Sequence, residues 1–562
     1  MRRKLVSLLS LPPILSLICN IGTAQAEEKE NQITRGSTTG QTTAKGFSHP
    51  GQYLHVMPTK IADNMEPVIL HPEQEKEARE KLSALEKRFG KKPNILIILT
   101  DDVGWLDPGF NGGGEAVGNP TPNMDRLAQN GLILTSAYST PSSTPTRASI
   151  HTGQNPLHHG LLRPPMYGEA GGLDGAVTFP VILQKQGYVT QGVGKWHMGE
   201  NEASLPQNVG YDDYYGFLGV SDMYTEWRDQ YFNPEVALSP ERFAMVEKLG
   251  FDHNNIHCVK GKPGVEKVYE INLTTIKDLD QDWANYSDKF IRKMAKSNKP
   301  WFLYHATRAC HFDNYPNAQY AGKSPARTVF SDGMVEVDDI VGRLVKTLEE
   351  TGQLENTLII FSSDNGPEGE IPPHGRSPFR GHKGSTWEGG VRVPTFVYWK
   401  GVIKAHKSDG LFDLQDLFNT CLSIAGIKGA DVNKYISKDI YVDGIDQLSF
   451  LLADNGLSNR RSRIYTMNEF FSAVRVDEFK LQIAVQLEDA LFPRGYPAGF
   501  SGAIITQTGG ALLNNLYTNP QEDENIGIRH IPMTVPIGAE AERYFMVLKK
   551  YPPKQKISFG GN

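Results

Sequence analysis

Three continuous apolar runs of strand length stand out along the chain, at Asn94 to Thr100, Trp301 to His305 and Thr357 to Phe361. Runs without polar alternation are typical of central strands that are buried on both faces of a sheet. Between the last two runs, apolar residues recur at helical spacing from Met334 to Leu348, and Gly352 provides a stop signal. Strands that alternate with helices predict an α/β fold with a mainly parallel sheet sandwiched by helices.

The N-terminus has the layout of a secretory signal peptide. Its features follow in order: the basic residues Arg2, Arg3 and Lys4, the apolar stretch 5–21, and the small-x-small pattern Ala24-Gln25-Ala26. Two prolines interrupt the apolar stretch, which is short for a membrane-spanning helix. We therefore expect residues 1–26 to be a signal peptide, and the mature chain to be exported without stable membrane insertion.

Changes in composition and in the spacing of apolar residues predict the domain organisation of the remaining chain. Residues 27 to about 70 are polar and rich in Gly, Thr and Asn, as in a linker or a loosely packed arm. From Pro72 to Phe89, apolar residues recur at helical spacing. From about 455, short stretches of strand-like alternation are followed by a closing helix near 540–550. The predicted divisions are an N-terminal arm and helix at 27–90, the main α/β domain at 91–454 and a smaller C-terminal α+β domain at 455–562.

Composition narrows the possible functions. Hydrophobic residues make up 39% of the chain and charged residues 22%, which is typical of a globular protein. The net charge of −6, which becomes more negative without the leader's three cations, disfavours general nucleic-acid binding because phosphate backbones require a cationic surface. Beyond the leader, Cys258, Cys310 and Cys421 allow at most one intramolecular disulfide, of undefined pairing. We expect three buried or free thiols.

Polar oxygen donors directly follow two of the apolar runs. Asp101 and Asp102 come after the first run, and Asp364 and Asn365 come after the third. Because ligands gather beyond the carboxyl ends of parallel strands, both pairs are expected at one edge of the sheet. Oxygen donors without Cys or His suit a hard cation, Ca²⁺ before Mg²⁺. Either pair alone is typical of a loop or cap, but together they predict a metal site.

The segment Ser143-Thr-Pro-Thr-Arg-Ala-Ser-Ile-His-Thr-Gly153 carries the most specific signal. Pro145 suits the first turn of a helix, whose free N–H groups would make the surroundings of Ser143 fit for an anion. Arg147, one turn along, is able to reach the same place. The segment resembles the signature of the sulfatase family, in which a Cys or Ser two residues before the Pro is oxidised to formylglycine.

Four further segments resemble sulfatase motifs and occur in the family's chain order. They are Gly194-Lys-Trp-His-Met-Gly199, Tyr304-His-Ala-Thr-Arg-Ala-Cys-His311 before Tyr315-Pro316, Gly381-His-Lys-Gly-Ser-Thr-Trp-Glu-Gly-Gly390 before Arg392-Val-Pro394, and Leu513-Asn-Asn-Leu-Tyr517 before Asn519-Pro520. The resemblance spans about Asn94 to Asn525 and is greatest to arylsulfatases. It implies an alkaline-phosphatase-like fold and the hydrolysis of sulfate esters. The gap between His311 and the following Pro is longer than is usual in the family.

The resemblance also implies the metal ligands and the nucleophile. The ligands of Ca²⁺, or of Mg²⁺, would be Asp101, Asp102, Asp364, Asn365 and the modified Ser143. Formylglycine (3-oxoalanine) at Ser143 would be hydrated to a geminal diol, and one hydroxyl would attack sulfur with Asp364 as base. A plain serine would lack the second hydroxyl that expels sulfate.

Basic residues are implied to bind sulfate and to move protons. Lys195, His311 and Lys383 would hold sulfate oxygens and stabilise the transition state. His311 or Lys383 would protonate the departing alcohol, and His197 would take the proton of the second hydroxyl, which regenerates the aldehyde. Arg147 would orient the diol.

Serine at position 143 also implies a partner and a location. In the sulfatase family the serine form depends on an oxygen-independent radical maturase, found in bacteria, that acts before or during export. The sequence therefore predicts a protein of the bacterial periplasm or a secreted protein. Its substrate would be a small-molecule or glycan sulfate ester, either an aryl sulfate or a sulfated sugar.

Two other functions fit parts of the same pattern. An unmodified Ser143 would suit a phosphate or phosphonate ester hydrolase, although related phosphatases generally use transition-metal pairs with several His ligands. A catalytically dead binder of sulfated ligands is the other alternative, but no expected catalytic position is lost. Turnover of an aryl sulfate and an aryl phosphate, with and without a chelator, separates these functions.

Overall fold

A computed structural model describes residues 58–559 of the chain except 166–168, 221–224, 249–252, 313, 370, 487, 490–495, 498–503 and 507–511. The expected signal peptide and most of the polar arm lie outside the described residues. Within the described ranges, no helix is both long and apolar enough to cross a membrane.

The strands alternate with helices through most of the chain. The strands are β1 Asn94–Thr100, β2 Leu132–Leu134, β3 Ala137–Tyr138, β4 Val189–Lys195, β5 Asp213–Phe217, β6 Asn254–Val259, β7 Glu266–Glu270, β8 Trp301–Ala306, β9 Thr357–Ser363, β10 Thr395–Tyr398, β11 His406–Ser408, β12 Phe412–Asp413, β13 Ser462–Met467, β14 Phe470–Val476, β15 Phe479–Gln482, β16 Ala484–Gln486, β17 Glu488–Asp489, β18 Tyr496–Pro497, β19 Ile504–Thr506 and β20 Leu512–Asn515. The α-helices are α1 Pro72–Phe89, α2 Pro122–Gln129, α3 Ser143–Thr152, α4 Pro156–His159, α5 Phe179–Lys185, α6 Pro234–Ala237, α7 Pro240–Glu247, α8 Leu279–Met294, α9 Val329–Glu350, α10 Glu388–Val391, α11 Leu417–Ile424, α12 Leu448–Leu452 and α13 Thr534–Lys550.

A ten-stranded sheet forms the centre of the molecule, in the order β11-β2-β10-β9-β1-β8-β4-β5-β6-β7. The four central strands β9, β1, β8 and β4 run parallel, as does β5 beside them. The edge strand β7 and its neighbour β6 are antiparallel to their partners, and β10 is antiparallel on the other side. The three apolar runs of the sequence are β1, β8 and β9, so their prediction as central parallel strands is confirmed.

Helices cover both faces of this sheet because successive residues of each strand point to opposite sides. Ile95 and Ile97 of β1 lie in one apolar core with residues of α1, α3, α5 and α11. Leu96 and Ile98 lie in a second core with residues of α2, α8 and α9. The helix predicted around Met334 is α9. The sandwiched α/β fold expected from the sequence is therefore present.

The N-terminal segment is more closely packed than its composition suggests. Residues 58–70 belong to the stretch predicted to be a linker or loosely packed arm, yet Met65, Val68 and Ile69 are buried, and Met65 forms a bridge with Val442. Helix α1 then packs against α12. The apolar residues in this otherwise polar segment explain why it lies against the main body.

A smaller antiparallel sheet, β13-β14-β15-β20, follows the main sheet. The alternating stretch from Ser472 to Ile483 is a hairpin whose turn contains Asp477 at φ 53°, which separates β14 from β15. The closing helix α13 begins at Thr534, earlier than the pattern indicates, and buries Ile537 and Tyr544 against this sheet. These elements form the smaller C-terminal α+β unit expected from the sequence.

Candidate active site

The carboxyl ends of the central strands bring the acidic residues together. Strands β1 and β9 pair in parallel so that Thr100 lies opposite Ser363. The acidic residues that follow each strand therefore emerge side by side, and the amide N–H of Asp102 lies 3.4 Å from Oδ1 of Asp364. Asp101, Asp102, Asp364 and Asn365 are all fully buried.

Ser143 is the first residue of α3 and points at these acids. Its Oγ donates to Oδ1 of Asp101 at 3.1 Å and forms a short hydrogen bond with Oδ2 of Asp364. All ten residues of α3 are buried, with Ser142 as the N-cap and Gly153 at φ 67° after the last turn. The start of a helix leaves N–H groups free and carries a partial positive charge, so this end suits an anion.

Two buried lysines each pair with one of the adjacent aspartates. Lys195 Nζ lies 2.7 Å from Oδ2 of Asp101 and 3.4 Å from Ser143 Oγ. Lys383 Nζ lies 2.8 Å from Oδ2 of Asp102. Burial opposes the ionisation of Asp101, but Lys195 and other cations outweigh it and lower the pKa of Asp101 well below its usual range. These ammonium groups bring positive charge to the place where Ser143 points.

A glycine allows the strand that carries Lys195 to approach its neighbour. Gly194 of β4 has φ 99°, and a Cβ there would lie 1.7 Å from the carbonyl oxygen of Ala306 on β8. A larger residue would therefore clash with β8 next to Lys195. This close approach explains why glycine precedes the lysine.

His197 lies beside the first turn of α3, because Thr144 Oγ1 donates to the His197 carbonyl oxygen at 2.7 Å. Neither ring nitrogen of His197 has a hydrogen-bond partner among the described residues, although both are buried. Burial, followed by the charges of Lys195 and Arg147, lowers the pKa of His197 well below its usual value. The ring is therefore neutral and able to accept a proton.

Two residues of the site have left-handed backbone conformations, Asp102 at φ 59° and His197 at φ 60°. Such conformations cost about 1–3 kcal/mol for residues other than glycine and cluster at functional sites. Asp102 directly follows the site residue Asp101, and His197 lies two residues after the site residue Lys195. Such backbone strain is typical of residues whose side chains are oriented for a function.

His311 lies close enough to the acids to share a ligand with them. Its Nε2 lies 3.9 Å from Oδ2 of Asp102 and 3.4 Å from Nζ of Lys383. One ligand atom from each of Asp101, Asp102 and His311 falls within 4.8 Å of the others. This group of three could hold a metal ion. Sequence reasoning assigned His311 to sulfate binding and to protonation of the departing alcohol, so its closeness to both aspartates is an addition.

The donor set fits a divalent cation. Asn365 Nδ2 donates to Oδ1 of Asp102 at 2.6 Å, whereas Asn365 Oδ1 is buried without a partner among the described residues. A buried acceptor without a donor is costly, and a cation satisfies it. Burial and the neighbouring Asp101 carboxylate, opposed by Arg147 and Lys195, raise the pKa of Asp364. The chemistry of these donors matches a hard ion.

Comparison with known proteins gives the family. A family model described as Sulfatase matches residues 93–427, more than half of the chain. The chain belongs to the sulfatase family. A second model, for the C-terminal domain of the sulfatase AslA, matches residues 472–549. The protein is therefore a sulfuric ester hydrolase with an alkaline-phosphatase-like fold.

Individual sulfatases resemble the chain over most of its length. Mouse N-acetylgalactosamine-6-sulfatase is 30% identical over 70% of this chain and 72% of its own. Human arylsulfatase A is 28% identical over 78% of this chain and 83% of its own. The crystal structure of the PsFucS1 sulfatase from Pseudoalteromonas sp. is 40% identical, with a TM-score of 0.84, and the match covers 89% of this chain and 98% of that one.

The described contacts connect all of the sulfatase site residues predicted from the sequence, from Asp101 to Lys383. Two neighbours were missed. Tyr304 accepts a hydrogen bond from Nη1 of Arg147 at 3.3 Å, and Glu368 Oε2 lies 3.7 Å from Lys383 Nζ. Glu368 lies four residues after Asp364 in the sequence, which was the available signal. Among the described residues, Cys258, Cys310 and Cys421 are buried free thiols, as expected.

Proposed function

We propose that this sulfatase hydrolyses the sulfate ester of a sugar, using formylglycine formed at Ser143 and a bound divalent cation. The observation that carries the proposal is the position of Ser143, whose Oγ lies between two buried aspartates and 3.4 Å from the ammonium group of Lys195. An oxidised and hydrated residue at this position supplies a hydroxyl group for attack on sulfur.

We assign the cation site to Asp101, Asp102, Asp364, Asn365 and the modified residue 143. Ca²⁺ is favoured over Mg²⁺ because the donors are several carboxylate and amide oxygens supplied by the protein, whereas Mg²⁺ usually keeps water ligands and binds only one or two carboxylates. When bound, the cation supplies Lewis-acid polarisation of sulfate and positive charge beside the nucleophile. The partnerless Oδ1 of Asn365 supports this assignment.

Asp364 and Arg147 prepare the nucleophile in this proposal. Asp364 Oδ2 is hydrogen-bonded to Ser143 Oγ and is therefore placed to accept its proton. Arg147 donates to the same carboxylate oxygen from Nε and Nη2. The guanidinium fixes the orientation of Asp364 and, through it, of the group at position 143.

Lys195, Lys383 and His311 bind the sulfate oxygens and complete the leaving-group chemistry. Asp102 and Glu368 outweigh burial and raise the pKa of Lys383, so this lysine keeps its proton and stabilises negative charge. We therefore assign protonation of the departing alcohol oxygen to His311, whose Nε2 lies 3.4 Å from Lys383. His197, which is buried and neutral, accepts the proton that is released when sulfate leaves.

Similarity to relatives supports a sugar substrate. The names of several relatives denote N-acetylgalactosamine-6-sulfatases, and the match covers about seven-tenths of each chain for the mouse protein. We further propose that a radical-type serine maturase modifies Ser143 before or during export to the periplasm or the medium. The aryl sulfates used to assay arylsulfatases serve as probes of the same chemistry.

Peptide mass spectrometry of the Ser143 segment, from protein matured in its own host, tests the proposal. Loss of two hydrogens and reaction with a carbonyl probe are expected. Turnover of 4-nitrophenyl sulfate and of sulfated N-acetylhexosamines is then measured beside 4-nitrophenyl phosphate, with and without a chelator. An unmodified serine in all molecules, or turnover of phosphate alone, contradicts the proposal.

A further inference from the structure

The segment from Gly381 to Glu388, here called the Lys383 loop, is held on one side by the catalytic core. The backbone N–H of Lys383 donates to the carbonyl of Pro367 at 2.9 Å, and that of Gly384 donates to the carbonyl of Pro141 at 2.7 Å. These two bonds attach the loop to the segments that carry Asn365 and Ser143. The polar groups that follow in the loop have further partners elsewhere in the described chain.

The C-terminal unit supplies those partners one after another. The bonds are Gln486 Nε2 to Gly384 O at 2.7 Å, Ser472 Oγ to Thr386 Oγ1 at 2.6 Å, Lys480 Nζ to Thr386 O at 2.7 Å, and Glu388 N to Glu522 Oε2 at 2.7 Å. Four side chains from β14, β15, β16 and the segment after β20 therefore bind three alternate positions of the loop, Gly384, Thr386 and Glu388. Such a row of contacts sets the position of the loop's backbone.

A fully buried ion cluster forms the centre of this row. Lys480 Nζ lies 3.1 Å from Oε1 of Glu388 and 2.8 Å from Oε1 of Glu522, and none of the three side chains is exposed. Burial opposes the ionisation of Glu388, but Lys480, Arg392 and other cations outweigh it and lower its pKa to about 2. Glu388 is therefore ionised beside Lys480, whereas burial, opposed by Lys480, raises the pKa of Glu522.

A charged cluster that is completely buried adds little to the free energy of unfolding. The desolvation of buried ions offsets most of their attraction, and apolar residues of similar volume are often as stabilising. What charged hydrogen bonds provide is a defined geometry. Lys480 and Glu522 bind the backbone of the Lys383 loop directly, so the geometry that they define is that of the loop.

The same loop also supports the turn that carries Asn365. Gly390, just beyond Glu388, accepts a hydrogen bond from the backbone N–H of Gly366 at 2.9 Å. A Cβ on Gly366 would lie 1.9 Å from the carbonyl oxygen of Gly389, so the two segments are in close contact. A shift of the loop would therefore change the positions of Lys383 and Asn365 together.

We propose that Lys480 and Glu522 are positioning residues for the hydrolysis of sulfate esters, and that they act by fixing the Lys383 loop so that Lys383 meets the substrate's sulfuryl group. The inference rests on the function proposed for Lys383 above. It assigns the C-terminal unit a part in the chemistry, although the unit contributes no residue that touches the sulfuryl group.

A double-mutant cycle tests this inference. The metal-loaded, matured enzyme is compared as wild type, Lys383→Met, Lys480→Met and the double variant, with turnover of 4-nitrophenyl sulfate and calorimetric binding of inorganic sulfate as readouts. Because misplacement by about 1 Å can cost about 10²-fold, we expect Lys480→Met to lower kcat/KM and sulfate affinity by tenfold or more. Adding Lys480→Met to Lys383→Met should then cause a much smaller loss than Lys480→Met causes in the wild type, since the part of the effect that acts through Lys383 is already gone.

Matched variants separate positioning from stability. Lys480→Arg, which keeps the charge and the donors, is expected to restore most of the activity. If Lys480→Met does not fold, the same measurements are made on Glu522→Gln. Arg461→Met breaks the Arg461–Asp477 ion pair of the same C-terminal unit, at 3.1 Å, and should leave both readouts unchanged. Wild-type activity of Lys480→Met, or losses that multiply in the double variant, would overturn the inference. Full activity of Lys383→Met would instead contradict the proposed role of Lys383.

Discussion

Arg147 binds a single oxygen of Asp364 with two nitrogens, Nε at 3.1 Å and Nη2 at 2.7 Å. The same oxygen is the hydrogen-bond acceptor of Ser143, and the side chains of both charged residues are completely buried. The guanidinium is itself held by the Lys195 carbonyl oxygen and by Tyr304. The orientation of the proposed nucleophile therefore depends on an ion pair that water does not reach.

Replacement of Arg147 by Met is expected to reduce both stability and turnover. The variant leaves Asp364 buried without its cation, which typically costs about 3–5 kcal/mol. Denaturant unfolding measures this loss, and kcat should fall because Asp364 no longer presents a fixed oxygen to residue 143. Tyr304→Phe, which removes one contact to the guanidinium, should cost far less. Unchanged stability of Arg147→Met would show that the pair makes no net contribution.

Asn365→Ala should weaken the binding of Ca²⁺. It removes an amide oxygen that has no partner within the described chain, and loss of a coordinating group commonly costs 10–100-fold in metal affinity. We expect addition of Ca²⁺ to raise the Tm of the wild type, and this rise should be smaller in Asn365→Ala. Asn356→Ala is the matched control, because Asn356 also has a buried, partnerless Oδ1 but precedes β9 at the opposite edge of the sheet. An equal response of both variants to Ca²⁺ would argue against Asn365 as a ligand.

His197→Gln should slow sulfate release more than it slows cleavage of the ester bond. Without a neutral base, the first turnover proceeds and later ones stall, so stopped-flow assays should show a burst of alcohol followed by a low steady-state rate. His305→Gln provides the comparison. His305 is equally buried, with its Nδ1 hydrogen-bonded to Ser287 at 2.9 Å and a pKa lowered to about 3 by burial, and it lies outside the site. Steady-state kinetics without a burst would count against the assigned role of His197.

A buried histidine in α3 predicts acid sensitivity. The His151 Nδ1–H donates to the Arg147 carbonyl, and Nε2 accepts from the hydroxyl of Tyr211, each at 2.7 Å. Burial lowers its pKa from 6.5 to about 4. The unfolded chain therefore takes up a proton near pH 6.5 while the folded protein does not, so this contribution to stability is complete above pH 6.5 and is lost as the pH falls toward 4.

Substitution of His151 isolates that contribution. In His151→Gln, the dependence of the unfolding free energy on pH should become shallower by about 1.4 kcal/mol per pH unit between pH 4 and 6.5. Tyr211→Phe removes the hydroxyl partner but keeps the titrating ring, so its slope should persist. Chemical denaturation at several pH values measures the slopes. A wild-type slope in His151→Gln would mean that other groups cause the acid sensitivity.

The strands and the acidic edge were predictable because their signals are local. The runs that became β1, β8 and β9 are apolar without interruption, and parallel pairing then places Asp101 and Asp364 side by side. Likewise, Pro145 indicated the first turn of α3 and Gly153 indicated its end. Contacts that depend on tertiary packing were not accessible in this way. Nothing in the sequence around Lys480 or Glu522 indicates that these residues meet beside Glu388, because their pairing requires the second sheet to dock on the first.

The complete burial of α3 has a consequence for the order of events in the life of the protein. A modifying enzyme needs direct access to the Ser143 side chain, yet this residue is only 3% exposed once α3 is packed between the sheet and its neighbouring helices. If Ser143 is modified as proposed, we therefore expect the oxidation to precede folding, while the segment is still an extended peptide. Under that proposal, a chain that folds first would keep its serine, and the active fraction of a preparation would be set during biosynthesis rather than by later treatment.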